Sequence, residues 1–242
     1  MFEALRKKLS PLWMRQPEAT VVKGDRFLSA CKGVLHVGAN SGQERETYAR
    51  LGLPVVWVEA LPGVFDELKI NIARYPDQMA IRALLADRDG QKFIFRVANN
   101  NGASSSILEL KYHKDIWPEV EYVDEIEMES VTLGTALASH GVDPSAYDAL
   151  VMDTQGSELM ILQGSGELLD RFEYIKTEAA DFEAYENCAT VASLADFLGA
   201  HGFCLVRQDK FAVHPSLGSY FDILFERRRG TTAEAGAAPK WP

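Results

Sequence analysis

With 242 residues, a net charge of −10, 47% apolar and 25% charged residues, the chain has the profile of one soluble globular domain. No run approaches the roughly 20 apolar residues that span a bilayer, and the acidic balance argues against the phosphate backbone of nucleic acid, whose binding depends on lysine and arginine. Cys31, Cys188 and Cys204 match no zinc or redox spacing, so they read as small, half-buried apolar residues without a disulfide.

Residues 2–16, "FEALRKKLSPLWMRQ", read as a basic helix with Phe2, Leu5, Leu9 and Leu12 on one face. Packing on the domain or on a partner subunit accounts for that face better than a membrane surface does. The segment lacks the apolar core of a secretory signal, which makes the cytoplasm the expected location. Residues 1–30 are therefore expected to be an extension, with one domain over 31–228 and a disordered small-residue tail over 229–242. From residue 33 strands and helices alternate. Val34–Val37 is a strand, 42–51 a helix, Val55–Val58 a buried parallel-type strand, and 65–76 a helix closed by Pro76. "MAIRALLAD" holds the third strand. "KFIFRV" over 92–97 is a further strand, followed by a polar insert from Asn99 to about Glu125 that suits a lid or substrate wall. A strand over 126–133, a helix near 134–140, a buried strand Tyr147–Met152 and a helix over 157–169 come next. A strand over 172–178 and a helix over 190–202 lead to two closing strands, 203–208 and 220–227. The loop between those two has no room for a helix, so they pair antiparallel. The pattern predicts a mostly parallel sheet with helices on both faces.

In such a sheet, ligands sit beyond the carboxyl ends of the strands. "HVGANSG" lies at one such end, with Gly38 for the reversal and Gly42 for close packing of the following helix. Its free N–H groups suit a carboxylate or phosphate. His36, inside the strand, reads as a satisfied core residue. Glu59 ends the second strand about twenty residues on, where a carboxylate clasps a ribose diol. Together they indicate an adenosine-type cofactor. Three features favour S-adenosylmethionine over a dinucleotide: a G-x-x-x-G turn where pyrophosphate wants G-x-G-x-x-G, Asn40 for the amino-acid end, and further strand-end acids that suit a sulfonium.

"ALVMDTQGSELMILQGS" places Asp153 at a strand tip, Gly156 in a sharp turn and Glu158 in a first helical turn. Asp153 can reach a methionyl ammonium or a metal. Glu158 either contacts substrate or answers the helix dipole. Glu178 and Asp181 follow the next strand. Asp153 and Glu178 could share a Mg²⁺ that acidifies a substrate hydroxyl, or bond a sugar, or stand solvated. In the insert, Asn101, Ser104 and Ser105 are ligand contacts and His113 a candidate general base. His140, His201 and His214 show no partner.

Taken together, "VLHVGANSGQERETYARLG", "VVWVEALP", "GASSSIL", "VMDTQGSELMILQGS" and "IKTEAADFEAYE" resemble the FkbM family of S-adenosylmethionine-dependent methyltransferases over about residues 33–226. The resemblance implies a class I methyltransferase fold, a Rossmann-like α/β sheet of seven strands with an antiparallel last strand. It implies a cofactor wall of His36, Gly38, Ala39, Asn40, Gly42, Glu59 and Ala60, with Ala83 and Leu84 flanking adenine and Ser104, Ser105, Asp153 and Gln155 completing it. It implies O-methylation of a hydroxyl on a sugar, glycolipid, polysaccharide or natural product. Asn101, His113, Glu158, Glu178 and Asp181 then face the acceptor, and the base comes from Asp153, His113 or Glu178. Two positions depart from the family pattern: Glu59-Ala60-Leu61-Pro62 stands for Glu-Pro, and Asp153-Thr154-Gln155-Gly156 for D-x-E-G. Two rivals remain at this level, a nicotinamide-dependent sugar oxidoreductase, against which the lack of a Tyr-x-x-x-Lys pair counts, and a non-catalytic cofactor binder. A homo-oligomer also stays open.

Overall fold

A computed structural model describes residues 23–228, so the helix read over 2–16 and the tail from 229 lie outside the described residues. Among these residues seven strands form one sheet in the order β3-β2-β1-β7-β8-β10-β9, and three form a second in the order β4-β6-β5. The apolar runs make the centre of the large sheet. β1 (Val34–Val37), β2 (Val55–Glu59) and β7 (Ala149–Met152) are buried at every position. These strands, β3 (Gln78–Arg82) and β8 (Tyr174–Ala180) run parallel. β9 (Phe203–His214) and β10 (Gly218–Arg227) form the expected antiparallel hairpin, with β10 inserted beside β8.

Alternate side chains of the buried strands serve two cores. Val34, Val55, Trp57, Ala149 and Val151 pack with Tyr48 of α1 (Arg45–Arg50) and Leu68 and Ile72 of α2 (Pro62–Ile72). Leu35, Val37, Val56, Val58, Leu150 and Met152 pack on the opposite face against α4 (Leu133–Ser139), α5 (Glu158–Gly164) and α6 (Val191–Ala200). Helix starts follow local chemistry. Pro62 opens α2, and Thr190 and Ser193 bond reciprocally as a capping box for α6.

Three expectations shift. The 3-10 helix Lys23–Ala30 belongs to the folded body, because Phe27 and Leu28 are buried against Tyr174 and the β1 core. α1 begins later than residue 42, because Gly38, Asn40 and Gly42 all have positive φ and the chain is still turning. The segment "MAIRALLAD" is split between β3 and β4 (Leu84–Leu85), which crosses into the small sheet. There β5 (Lys92–Ala98) pairs with β6 (Tyr122–Val131), so the end of the polar insert is strand. Within that insert lies the single turn α3 (His113–Ile116).

Gly38 has φ +72, and a Cβ built on it falls 1.8 Å from the Asp153 carbonyl oxygen. That backbone atom cannot yield without moving β7. Gly38→Ala is expected to cost about 3 kcal/mol or more, combining left-handed strain of roughly 1–2 kcal/mol with the clash. Thermal melting reads this as a fall of at least about 6 °C for a chain of this size.

Candidate active site

The strand order reverses at β1, and at its carboxyl end opens a cavity of about 290 Å³. That volume is near the lower end of the roughly 300–1,000 Å³ usual for small-molecule sites. One end is apolar, lined by Val58, Leu84, Leu85, Phe95, Ile107 and Ile161. The other is acidic. Among the described residues, Asp25, Glu44, Glu59, Asp153, Glu178 and Asp222 line the cavity, and Lys176 is the one fixed cation of its wall. Lys176 is itself 2.8 Å from Asp25. Burial pulls the Lys176 ammonium down, but Asp25, Asp222 and Glu44 outweigh it and hold the group above its ordinary value.

Glu59 is the organising residue of the β1–β2 edge. Its two carboxylate oxygens each accept one backbone N–H, from Asn40 and from Leu61, both at 2.8 Å. Burial raises its pKa, and those N–H donors together with that of Ala60 oppose the rise. Each oxygen keeps a lone-pair direction for a ligand hydroxyl. Asn40, at φ +44, turns its side-chain oxygen back onto the Ser41 N–H and so shapes the turn as well as lining the cavity.

Asp153 stands exposed to the open cavity at the tip of β7. The surrounding protein and the nearby Glu158, Glu44 and Asp222 raise its pKa, while the Gln155 amide, 2.6 Å from Oδ1, opposes them. Glu178 is raised in the same sense, by burial first and then by the charge of Asp153. Water in the open cavity tempers both shifts and a bound ligand strengthens them. Two carboxyl groups that resist simultaneous ionisation make a site able to hold a proton near neutrality.

The structure brings His36, Gly38, Ala39, Asn40, Glu59, Ala60, Ala83, Leu84, Ser105, Asp153, Gln155 and Glu178 into the cavity wall. His36 is at once core and wall. It is buried, stacks on Trp57 with ring centroids 4.7 Å apart, and pairs through Nδ1 with the Tyr48 hydroxyl at 3.0 Å. Burial keeps its imidazole below its ordinary pKa. Six other residues do not reach the wall. Gly42 packs on Leu68, where a Cβ has only 2.7 Å. Asn101 sits at φ +57 in an exposed turn of the insert. Ser104 is buried between Asn100 and His113. Asp181 accepts the Ser219 N–H at 2.7 Å and fastens the β9–β10 hairpin. Glu158 collects the Thr154 N–H at 2.9 Å, the Thr154 hydroxyl at 3.1 Å and the Gly156 N–H at 3.2 Å on Oε1, and so folds the turn after Asp153.

His113 corrects the expectation of an overhanging base. It is buried, with Nδ1 2.9 Å from the Tyr220 hydroxyl and Nε2 3.3 Å from Ser104 Oγ, among Trp117, Tyr185 and Tyr220. Burial lowers its pKa from 6.5 to about 4. The native state thus holds it neutral, while the unfolded chain binds a proton below 6.5. Stability is fully present above pH 6.5 and falls between there and about pH 4, by about 3 kcal/mol in total. Chemical denaturation across that range is expected to show the fall, flattened in His113→Gln.

Asp25, Glu44, Lys176 and Asp222 escaped the sequence reading. The available signal was the alternation in "YIKTE" and "YFDILFE", where Lys176 and Asp222 interrupt apolar strand runs. Among the described residues no group of three or more His, Cys, Asp or Glu side chains is arranged to hold a metal ion, and no helix is long and apolar enough to cross a membrane.

Comparison with known proteins bears on the family of the chain. The family model described as "Methyltransferase FkbM domain" matches residues 36–205. The chain is 25% identical over 205 residues to the 2-O-methyltransferase NoeI of Sinorhizobium fredii (strain NBRC 101917 / NGR234), covering 81% of each protein. Among solved structures it resembles a putative RNA methyltransferase, PH1948, from Pyrococcus horikoshii (12% identity, TM-score 0.44, 91% of this chain and 89% of that one). It also resembles the magnesium protoporphyrin IX methyltransferase ChlM of Synechocystis PCC 6803 with bound SAM (12% identity, TM-score 0.44, 81% and 69%). With the family model spanning well over half of the chain and both acidic strand ends in its cavity, this protein belongs to the FkbM family and is a methyltransferase.

Proposed function

We propose that the cavity takes S-adenosylmethionine and that the methyl acceptor is a hydroxyl of a carbohydrate or carbohydrate-bearing molecule. The observation that carries the first part is the charge of the wall: among the described residues, six carboxyl groups against one lysine suit a sulfonium and repel a pyrophosphate. Glu59 suits ribose hydroxyls, the apolar residues Leu84, Phe95 and Ile107 suit adenine, and the Gly38–Gly42 turn, whose N–H groups are taken by Val58, Glu59, Asn40 and Ala39, leaves wall space at Gly38 and Ala39 for the amino-acid portion.

When bound, the donor supplies an electrophilic methyl group, already activated. The chain's part is to align the acceptor oxygen, exclude water and receive a proton. A hydroxyl that gains a methyl must lose one proton, and Asp153 is the carboxylate at the strand tip with a free oxygen, Oδ2, once Gln155 holds Oδ1. Glu178, raised by the same charges, is suited to remain protonated and donate to an acceptor hydroxyl. The polar end formed by Gln43, Thr47, Lys176 and Asp222 offers both donors and acceptors to a polyhydroxylated molecule. The similarity to a protein named a 2-O-methyltransferase supports the choice of oxygen.

The test is transfer of labelled methyl from S-adenosylmethionine to a panel of mono- and oligosaccharides, with the methylated atom located by NMR. A new O-methyl signal on a sugar is expected. Label appearing only on nitrogen or carbon of non-carbohydrate acceptors overturns the reading.

A further inference from the structure

Gln155 is the centre of three hydrogen bonds, of which the reading above uses only the one to Asp153. Its side-chain amide donates to Asp153 Oδ1 at 2.6 Å. Its side-chain oxygen accepts from the hydroxyl of Tyr185, which is buried at 2% exposure. Its backbone carbonyl accepts from the Ser106 hydroxyl of the insert at 2.8 Å. The residue also sits at φ +54, a left-handed conformation unusual for glutamine. It is followed by Gly156 at φ +103, where a Cβ falls 2.7 Å from Cys188. Ser106 holds the backbone from one side and Tyr185 the side chain from another, so the amide has one direction left.

We infer that Gln155 is a positioning residue: clamped by Ser106 and Tyr185, it holds Asp153 by Oδ1 and presents Oδ2 to the methyl donor and its acceptor. A carboxylate can only accept, so the bond to Asp153 fixes the amide nitrogen on that side and its oxygen toward Tyr185. The same clamp ties the insert to the strand tip, because Ser106 also exchanges backbone hydrogen bonds with Arg96 of β5. The inference rests on the placement of Asp153 beside the donor, and its test separates the two.

The purified full chain is titrated by calorimetry with S-adenosylmethionine and, separately, with S-adenosylhomocysteine. The ratio of the two affinities reads the Asp153 charge beside the sulfonium and needs no acceptor. Asp153→Asn is expected to lower the preference for the cationic donor roughly tenfold. Gln155→Asn tolerates the left-handed backbone but is one methylene short. Tyr185→Phe leaves that backbone untouched and removes only the hydroxyl. Tyr185→Phe is expected to keep S-adenosylhomocysteine affinity within about twofold, and both variants to lower the preference at least about threefold. Glutamine variants that keep the wild-type ratio while Asp153→Asn loses it overturn the clamp. If Asp153→Asn itself keeps the ratio, the placement of Asp153 fails and the clamp loses its purpose with it. Should Gln155→Asn not fold, Tyr185→Phe alone decides.

Discussion

Asp153→Asn is expected to reduce kcat by about 10²–10⁴-fold, the range associated with loss of a general base, while the protein keeps its fold and its S-adenosylhomocysteine affinity. The substitution preserves shape and leaves an oxygen to accept from Gln155, but it removes the only carboxylate oxygen at the β7 tip free to take a proton. Steady-state kinetics with melting and calorimetric controls read the outcome. A variant that turns over at the wild-type rate places the proton acceptor elsewhere, with Glu178 next in line because it lines the same cavity.

Glu59→Ala is the second large effect, and it acts on binding. The carboxylate accepts the Asn40 and Leu61 N–H groups from within, and in the proposed complex it also meets the ribose from without. On that proposal, removing it deletes two charge-assisted hydrogen bonds to the sugar, of roughly 1.5–3 kcal/mol each. It also leaves two backbone donors at the cavity floor without their acceptor. S-adenosylhomocysteine affinity is expected to fall at least about a hundredfold. Wild-type affinity in this variant, measured by calorimetry, is incompatible with a ribose at the β2 tip. Because both proteins can be assayed for binding alone, the two outcomes divide the site into a holding edge and a reacting edge.

What was legible beforehand was whatever depends on neighbours along the chain. "VVWV" and "ALVM" are continuous apolar runs, and only a strand covered on both faces explains them. Glu59 and Asp153 were legible for the same reason, each being the first acid after such a run. The side chains of the insert were not, because their fate is decided across long distances. His113 is neutral and enclosed only because Tyr220, 107 residues away, and Tyr185 close over it. In sequence it is one polar residue in a polar loop. Gly42 shows the opposite error. A glycine beside the cofactor turn invites a ligand, yet its missing Cβ makes room for Leu68 of α2. Lys176 reads as one charge in a strand until Asp25, 151 residues earlier, is brought 2.8 Å from it. Gln155 was legible as a residue of the cavity wall. Its hold on Asp153 became visible only when Ser106 and Tyr185 fixed its direction.

Leu84 and Leu85 carry the chain from β3 into the small sheet, where they pair with Ser130 and Val131 of β6. Everything between them, including Phe95, Ser105 and Ile107 of the cavity wall, is an excursion that leaves the large sheet and returns to it. Such an arrangement lets one half of the enzyme drift while the other stays still. Loops of the excursion away from Ser106 and His113, which tie it to the large sheet, can lengthen, shorten or change polarity without moving the strand ends. Room for one wall of the cavity to vary is thus built into where the chain chose to detour.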